Sequence, residues 1–200
     1  MQLTIKHNFP DLARKLDEMH EAIKGQATAS AINKTIDQAR TQMARQITDA
    51  YALPSAYVKQ RLRVRGASAK GGMTTIEATL IGGDGKRRAA NIIAFAEKKT
   101  TLAQARKRAK NGTLNQLYVK VKRTGPAKPL KGAFIGNKGR TVFERVGKAR
   151  LPIKPVQVID VPQMFTSKAI SKSVIDFMNA KFPEVFEREA RFYLTRYLAR

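Results

Sequence analysis

The most restrictive feature of this 200-residue chain is a long run without a single acid. Between Lys98 and Phe143 there is no Asp or Glu, and there are thirteen Lys and Arg. Like charges at that density repel, and burying one of them unpaired is costly. The run therefore cannot form a compact unit without counter-charge or abundant solvent. A solvated loop–strand–loop satisfies that constraint. So does an arm that contacts an acidic partner or a phosphate backbone, and the two are compatible. Before Phe143 the run holds only two aromatic residues, Tyr118 and Phe134, so stacking of bases along a single strand has little support. Over the whole chain 39 Lys and Arg face 15 Asp and Glu, a formal net charge of +24. Such a balance attracts polyanions, nucleic acid first among them, and an acidic protein partner is the plainer alternative.

Hydrophobic spacing supplies the elements. Leu3 and Ile5 suit a short leading strand. Pro10 suits a helix start, and Leu12, Leu16, Met19 and Ile23 predict an amphipathic helix over 11–24 with Gly25 as its stop. Ile32, Ile36, Met43 and Ile47 lie on one stripe of a second, longer helix from about Thr28 to Ala50, with Lys34, Asp37, Arg40 and Arg45 on the solvated face. After Pro54 a short helical piece turns Val58 and Leu62 inward, and Lys59, Arg61, Arg63 and Arg65 outward. Residues 66–72 read as a joint.

Thr74–Leu80 alternates as a half-buried strand, 82–88 is a turn with basic tips, and 91–96 and 117–122 read as further strands. The segment 100–111 fits either a helix or a basic loop, and 124–132 reads as a loop. Ala133–Ile135 and Thr141–Phe143 flank a Gly136/Gly139 turn and predict a hairpin. Pro152 and Pro155 then set a corner before a β-branched run that Pro162 closes. In the last segment Ile170, Val174, Phe177 and Met178, then Phe186, Ala190, Tyr193, Leu194, Tyr197 and Leu198, are helically spaced. Pro183 makes this either two helices or one kinked helix.

Helices, then strands, then helices predict an α+β fold: an antiparallel sheet packed by a long N-terminal helix and C-terminal helices, with extended basic loops. A chain of this length suits a single domain and can bury roughly 70% of its unfolded surface. Its expected parts are a helical 1–65, a sheet with basic loops over 73–162, and C-terminal helices over 163–200.

Several function classes lose support. Cysteine is absent, which removes disulfides and thiolate metal sites. No run of about 18 apolar residues suggests a membrane span, and the N-terminus lacks the apolar core of a signal peptide. The glycine-rich pieces do not fit a phosphate loop, since Lys86 is followed by Arg87 and Leu80 stands five residues before Gly85. His7 and His20 have no cysteine or paired carboxylate at a metal or acid–base spacing. No catalytic, metal or cofactor residue is expected. Asp160 and Glu144 are each expected to pair with a nearby Arg or Lys, for example Glu144 with Arg145 or Arg150 across a strand.

The pieces GAFI, FERVGK and LPIKPVQVIDVPQMF, in that order ahead of a charged helix, resemble the prophage minor tail protein Z family. These are the tail completion proteins of lambda-like phages, and the neck proteins of the Hong Kong 97 gene 10 type are more distantly similar. AIKGQATASAINKTIDQARTQMARQ and YVKQRLRVRGAS add to the likeness. It covers residues 23–68 and 132–200, and no likeness extends over 69–131.

The resemblance implies a structural subunit without enzymatic activity, forming a ring (a hexamer is favoured) at the head-proximal end of a tail and helping to join tail to head. It implies tail terminator and head–tail connector proteins as neighbours, with the tape measure protein and the DNA end within reach. It also implies assembly in the host cytoplasm and residence in the virion. The competing reading from charge alone is a basic nucleic-acid-binding protein of ribosomal or nucleoid kind, although no known recognition motif supports it. The expected partner or DNA contacts are Arg61, Arg63, Arg65, Lys86, Arg87, Arg88, Arg106, Lys107, Arg108, Lys110, Lys120 and Lys122. The expected core of the family-like stretch is Phe134, Ile135, Val142, Leu151, Ile153 and Val158, buried against the long helix.

Overall fold

A computed structural model describes residues 2–5, 21–69, 76–83, 89–96 and 117–199. Two long helices form its spine, α1 (Glu21–Ala50) and, near the C-terminus, α4 (Lys168–Leu198). The stripe of α1 holds the isoleucines Ile32, Ile36 and Ile47 with Met43, and all four are fully buried. Ala31 and Ala39, also fully buried, leave room for α4 to lie close along it. From α4 come Ile170, Val174, Met178, Phe182, Val185 and Phe186. Each such side chain contributes about 1.5–3 kcal/mol on burial, so this seam is the main hydrophobic source of stability.

One helix boundary differs from the sequence expectation, and at the other end the chain takes the single-helix form of the two expected. Gly25 does not end a helix, because α1 runs straight through it. A stop of that kind needs a left-handed glycine, and the positive-φ glycines lie elsewhere. A Cβ built on Gly25 would lie 3.4 Å from that of Ala69, so the residue marks a close approach of the following chain. At the other end Pro183 sits inside the single helix α4. The neighbours Phe182, Val185 and Phe186 are buried, and that packing outweighs the lost backbone bond.

Between the spine helices the described strands form four small antiparallel sheets instead of one. The first orders β1 (Gln2–Ile5), β3 (Ala78–Gly82) and β2 (Leu62–Arg65) with β3 central, so the leading strand forms as expected. It lies beside α1 and the short helix α2 (Ser55–Arg61), and Leu62, Ala78 and Leu80 join the spine core.

The other three sheets pair β4 (Ala89–Asn91) with β10 (Gln157–Ile159), β5 (Leu117–Val119) with β6 (Lys128–Leu130), and β7 (Ala133–Gly136) and β9 (Ile153–Pro155) with β8 (Thr141–Arg145). Here 91–96 is not one strand. Asn91 ends β4, and its side chain accepts from the Ile93 N–H to cap a 3-10 turn over Ile92–Phe95. That turn places Ile92 and Phe95, three residues apart, inside. The stretch 124–132 is likewise not all loop, since β6 forms within it. The hairpin β7–β8 forms as expected, with Ile135 opposite Val142. Its left-handed residues are Asn137, Lys138 and Gly139, while Gly136 stays in the strand.

These sheets enclose a second core of Ile92, Leu117, Val119, Ile135 and Val142, distinct from the seam of α1 and α4. The family-like stretch thus centres on its own small core, and the expectation that it buries against α1 is corrected. Ile135 and Val142 are buried, Phe134 and Val158 only half-buried, and Val158 packs against both cores. Leu151 is 67% exposed and Ile153 38% exposed. They fall in and after the β8–β9 connection, and β9 is an edge strand with no sheet laid over it among the described residues.

A capping box links the two parts. Asp160 accepts from the Val161 N–H at 2.8 Å, and the Gln163 side chain accepts from the Asp160 N–H at 2.7 Å, starting α3 (Val161–Phe165). Val161, Met164 and Phe165 of that helix enter the spine core.

Candidate assembly surface

The basic residues sort by position. On β2, Leu62 faces the core and the alternate Arg63 and Arg65 are exposed, as strand periodicity requires. Because β2 is an edge strand, the two guanidinium groups stand at an open margin of the sheet. Arg61 does not join them. Its guanidinium stacks 3.6 Å from the Tyr57 ring centroid, and its Nε lies 3.4 Å from Asp160 Oδ1. The Tyr57 hydroxyl also donates to that carboxylate, at 3.3 Å. Asp160 is thus a buried junction holding α2 against the start of α3, and Arg61 belongs to the interior joint rather than to the outward row expected of it.

The second basic surface clothes the small core. Residues 117–156 contain eleven Lys and Arg and one acid, Glu144. That acid pairs with a base across the strand as expected, and the base is Lys154 at 2.9 Å, its cross-strand partner, in place of the Arg145 or Arg150 given as examples. The fold resolves the crowding of like charge by facing almost every one of these bases to solvent around five buried aliphatic residues. Lys122 is exposed and its backbone forms an isolated antiparallel bridge with Tyr51, and Lys120 is half-buried, its N–H donating to the Phe95 carbonyl. Lys128, Lys131, Lys138, Arg140, Lys148 and Arg150 lie on the same lobe and are exposed. Sequence reasoning did not place them among the expected contacts, although the acid-free count already pointed to some of them. The expected contacts Lys86, Arg87, Arg88, Arg106, Lys107, Arg108 and Lys110 lie outside the described residues, as do residues 11–20 of the helix expected over 11–24, whose last residues open α1, and the segment 100–111.

The family model for prophage minor tail protein Z matches residues 11–200. This chain belongs to that family. The matched range spans 69–131, where no likeness was evident from the sequence. No curated protein and no solved structure shows a significant match to the chain. Membership gives the protein a structural role in a phage tail, in contact with other virion proteins.

For a minor tail protein Z the exposed apolar residues matter as much as the charge. Two groups stand out. Val146, Leu151 and Ile153 lie on and beside the β8–β9 connection. Phe192, Leu194, Tyr197 and Leu198 crowd the end of α4, where Leu198 is 76% exposed. A helix end that is apolar on several sides marks a contact surface more than a solvated one. Deeper in the same helix Glu189 is buried, and it accepts from Ser30 at 2.8 Å and from the Lys34 ammonium at 2.7 Å. Burial pushes its carboxyl up, but those two hydrogen bonds, the Lys34 charge and the Arg188 contact outweigh it, and the net direction is downward. The group is a lock between α1 and α4. Among the described residues no cluster of three His, Cys, Asp or Glu could hold a metal, and no helix is long and apolar enough to cross a membrane.

Proposed function

We propose that the protein is a tail completion subunit that forms a ring at the head-proximal end of the tail and helps join it to the filled head. On this reading its neighbours are the tail terminator and the head–tail connector, and the work is done by binding, not by catalysis. The observation that carries it is the lobe over 117–156, where eleven cations and one acid surround a folded core. Such a surface attracts an anionic neighbour, and membership of a tail family supplies a setting in which protein surfaces and the DNA end both offer one. The two exposed apolar groups suit a subunit that is complete only among neighbours.

Deleting the gene in a phage that carries it tests the reading. Full heads and full-length tails that accumulate without joining, and join when purified protein is added, are the expected result. Normal joining, or a failure of tail growth itself, refutes the role. A second reading, in which the lobe holds the DNA end and not a connector protein, rests on the same charge. It predicts joined particles whose DNA fails to enter the tail.

A further inference from the structure

The two exposed apolar groups are chemically matched to each other. On α4 the face toward α1 carries the buried residues, and the opposite face carries Ala180, Glu184, Glu187, Arg191, Leu194 and Leu198 at three- and four-residue spacing, all exposed. That outward stripe is carboxylate-bearing at 184 and 187 and aliphatic at 194 and 198. The β8–β9 connection has the converse pattern. Val146 and Leu151 are exposed among Arg145, Lys148, Arg150 and Lys154, on a turn closed by the Val146 N–H donating to the Pro152 carbonyl at 3.1 Å.

We propose, resting on the ring-forming reading above, that the β8–β9 connection of one copy seats on the outward stripe of α4 in the next copy. Leu151 and Val146 cover Leu194 and Leu198, and Lys148 and Arg150 approach Glu184 and Glu187. The spacing agrees. Seven helical residues from Glu187 to Leu194 cover about 10 Å, and three residues from Lys148 to Leu151 reach at most about 10 Å. The ion pairs of Lys181 with Glu184 and of Arg191 with Glu187, each at 2.7 Å, are surface pairs that hold weakly and exchange easily. Two different patches can meet reciprocally across a twofold or head-to-tail, and the ring reading takes the head-to-tail form, in which each copy offers one patch to each neighbour and the rotation closes.

The absence of cysteine in the chain makes the test direct. Tails are assembled with the double variant Leu151→Cys, Leu194→Cys and oxidised. The expected product is a ladder of cross-linked multimers that neither single variant gives. A ring seen in the tail with no ladder overturns this contact and leaves the ring reading standing. Dimers from Leu194→Cys alone would mean a twofold contact, and a cross-link to a different virion protein would mean a different occupant, and either overturns the proposal. A single copy per tail, counted by microscopy, refutes the ring reading itself. As a second readout, Glu187→Lys should lower the yield of joined particles without changing the melting of the isolated protein, and adding Lys148→Glu should restore it. No rescue by the swapped pair, or no loss from the first change, counts against the contact.

Discussion

The Asn91 carboxamide clamps the backbone of Val142 from both sides. Its Oδ1 accepts from the Val142 N–H at 2.8 Å and its Nδ2 donates to the Val142 carbonyl at 3.1 Å. The side chain thereby stands in for a strand at the Val142 N–H, shares the Val142 carbonyl with the Val156 N–H, and ties the end of β4 to β8 across 51 residues of sequence. Asn33 does the same to Ala67, accepting from its N–H at 2.7 Å and donating to its carbonyl at 3.0 Å.

Asn91→Asp keeps the acceptor and removes the donor, and it sets a carboxylate against the Val142 carbonyl. A loss of about 1–3 kcal/mol is expected, because a charged oxygen faces the buried Val142 carbonyl, which keeps only its bond from the Val156 N–H. Urea unfolding read on the sheet lobe checks this, and an unchanged midpoint would show that the clamp contributes nothing.

Replacing Lys34 by Met should raise the Glu189 carboxyl pKa and cost about 1.5–3 kcal/mol, the usual range for a hydrogen bond to a charged group. In the parent the Glu189 pKa is depressed on folding. Its stabilising contribution is therefore present above the ordinary glutamate range and lost as pH falls through the depressed value. Melting curves across acid pH should show the parent losing stability in that window, and the Lys34→Met variant starting lower and losing less.

The two apolar positions Ile135 and Leu151 should behave oppositely. Ile135 lies in the small core, and truncation to Ala should cost about 2–5 kcal/mol. Leu151 is exposed, and Leu151→Ala should stay within about 0.5 kcal/mol in the isolated protein. Equal losses would place Leu151 back in a core.

Gly82 and Gly83 lie against α3. A Cβ on Gly82 would sit 2.8 Å from Phe165 Cγ, and one on Gly83, whose φ is +89°, 2.5 Å from Pro162 Cγ. Alanine at either should cost about 1–3 kcal/mol by overpacking, and calorimetry of the single variants reads it directly.

Neutralising Arg63, Arg65, Lys122 and Lys138, all exposed, should leave melting within about 0.5 kcal/mol while lowering the yield of joined particles. On duplex DNA, removing a cation that neutralises one phosphate should flatten the slope of log K against log salt by about 0.9. Impaired joining with an unchanged slope assigns these charges to protein neighbours, and a flattened slope assigns them to DNA. Normal joining with an unchanged slope leaves them with solubility alone.

Local pattern determined much of this molecule. The stripe of Ile32, Ile36, Met43 and Ile47 makes a helix wherever it packs, because a 3.6-residue period has one face to bury. Ala133–Gly136 and Thr141–Arg145 make a hairpin because their turn carries Gly139 and tolerates left-handed Asn137 and Lys138. The charge is a property of composition and needed no fold. Tertiary structure alone decided the rest. Leu151 and Ile153 have the same character as Ile135 and Val142, and only the order of strands leaves the first pair uncovered and encloses the second. Gly25 and Pro183 are breakers by propensity. Each lies within a continuous helix because the neighbours packed around it, Ala69 in one case and the seam with α1 in the other, outweigh a local preference of about 1–3 kcal/mol. Which partner covers a residue depends on chain segments that are remote in sequence, and a reading of local spacing does not contain them.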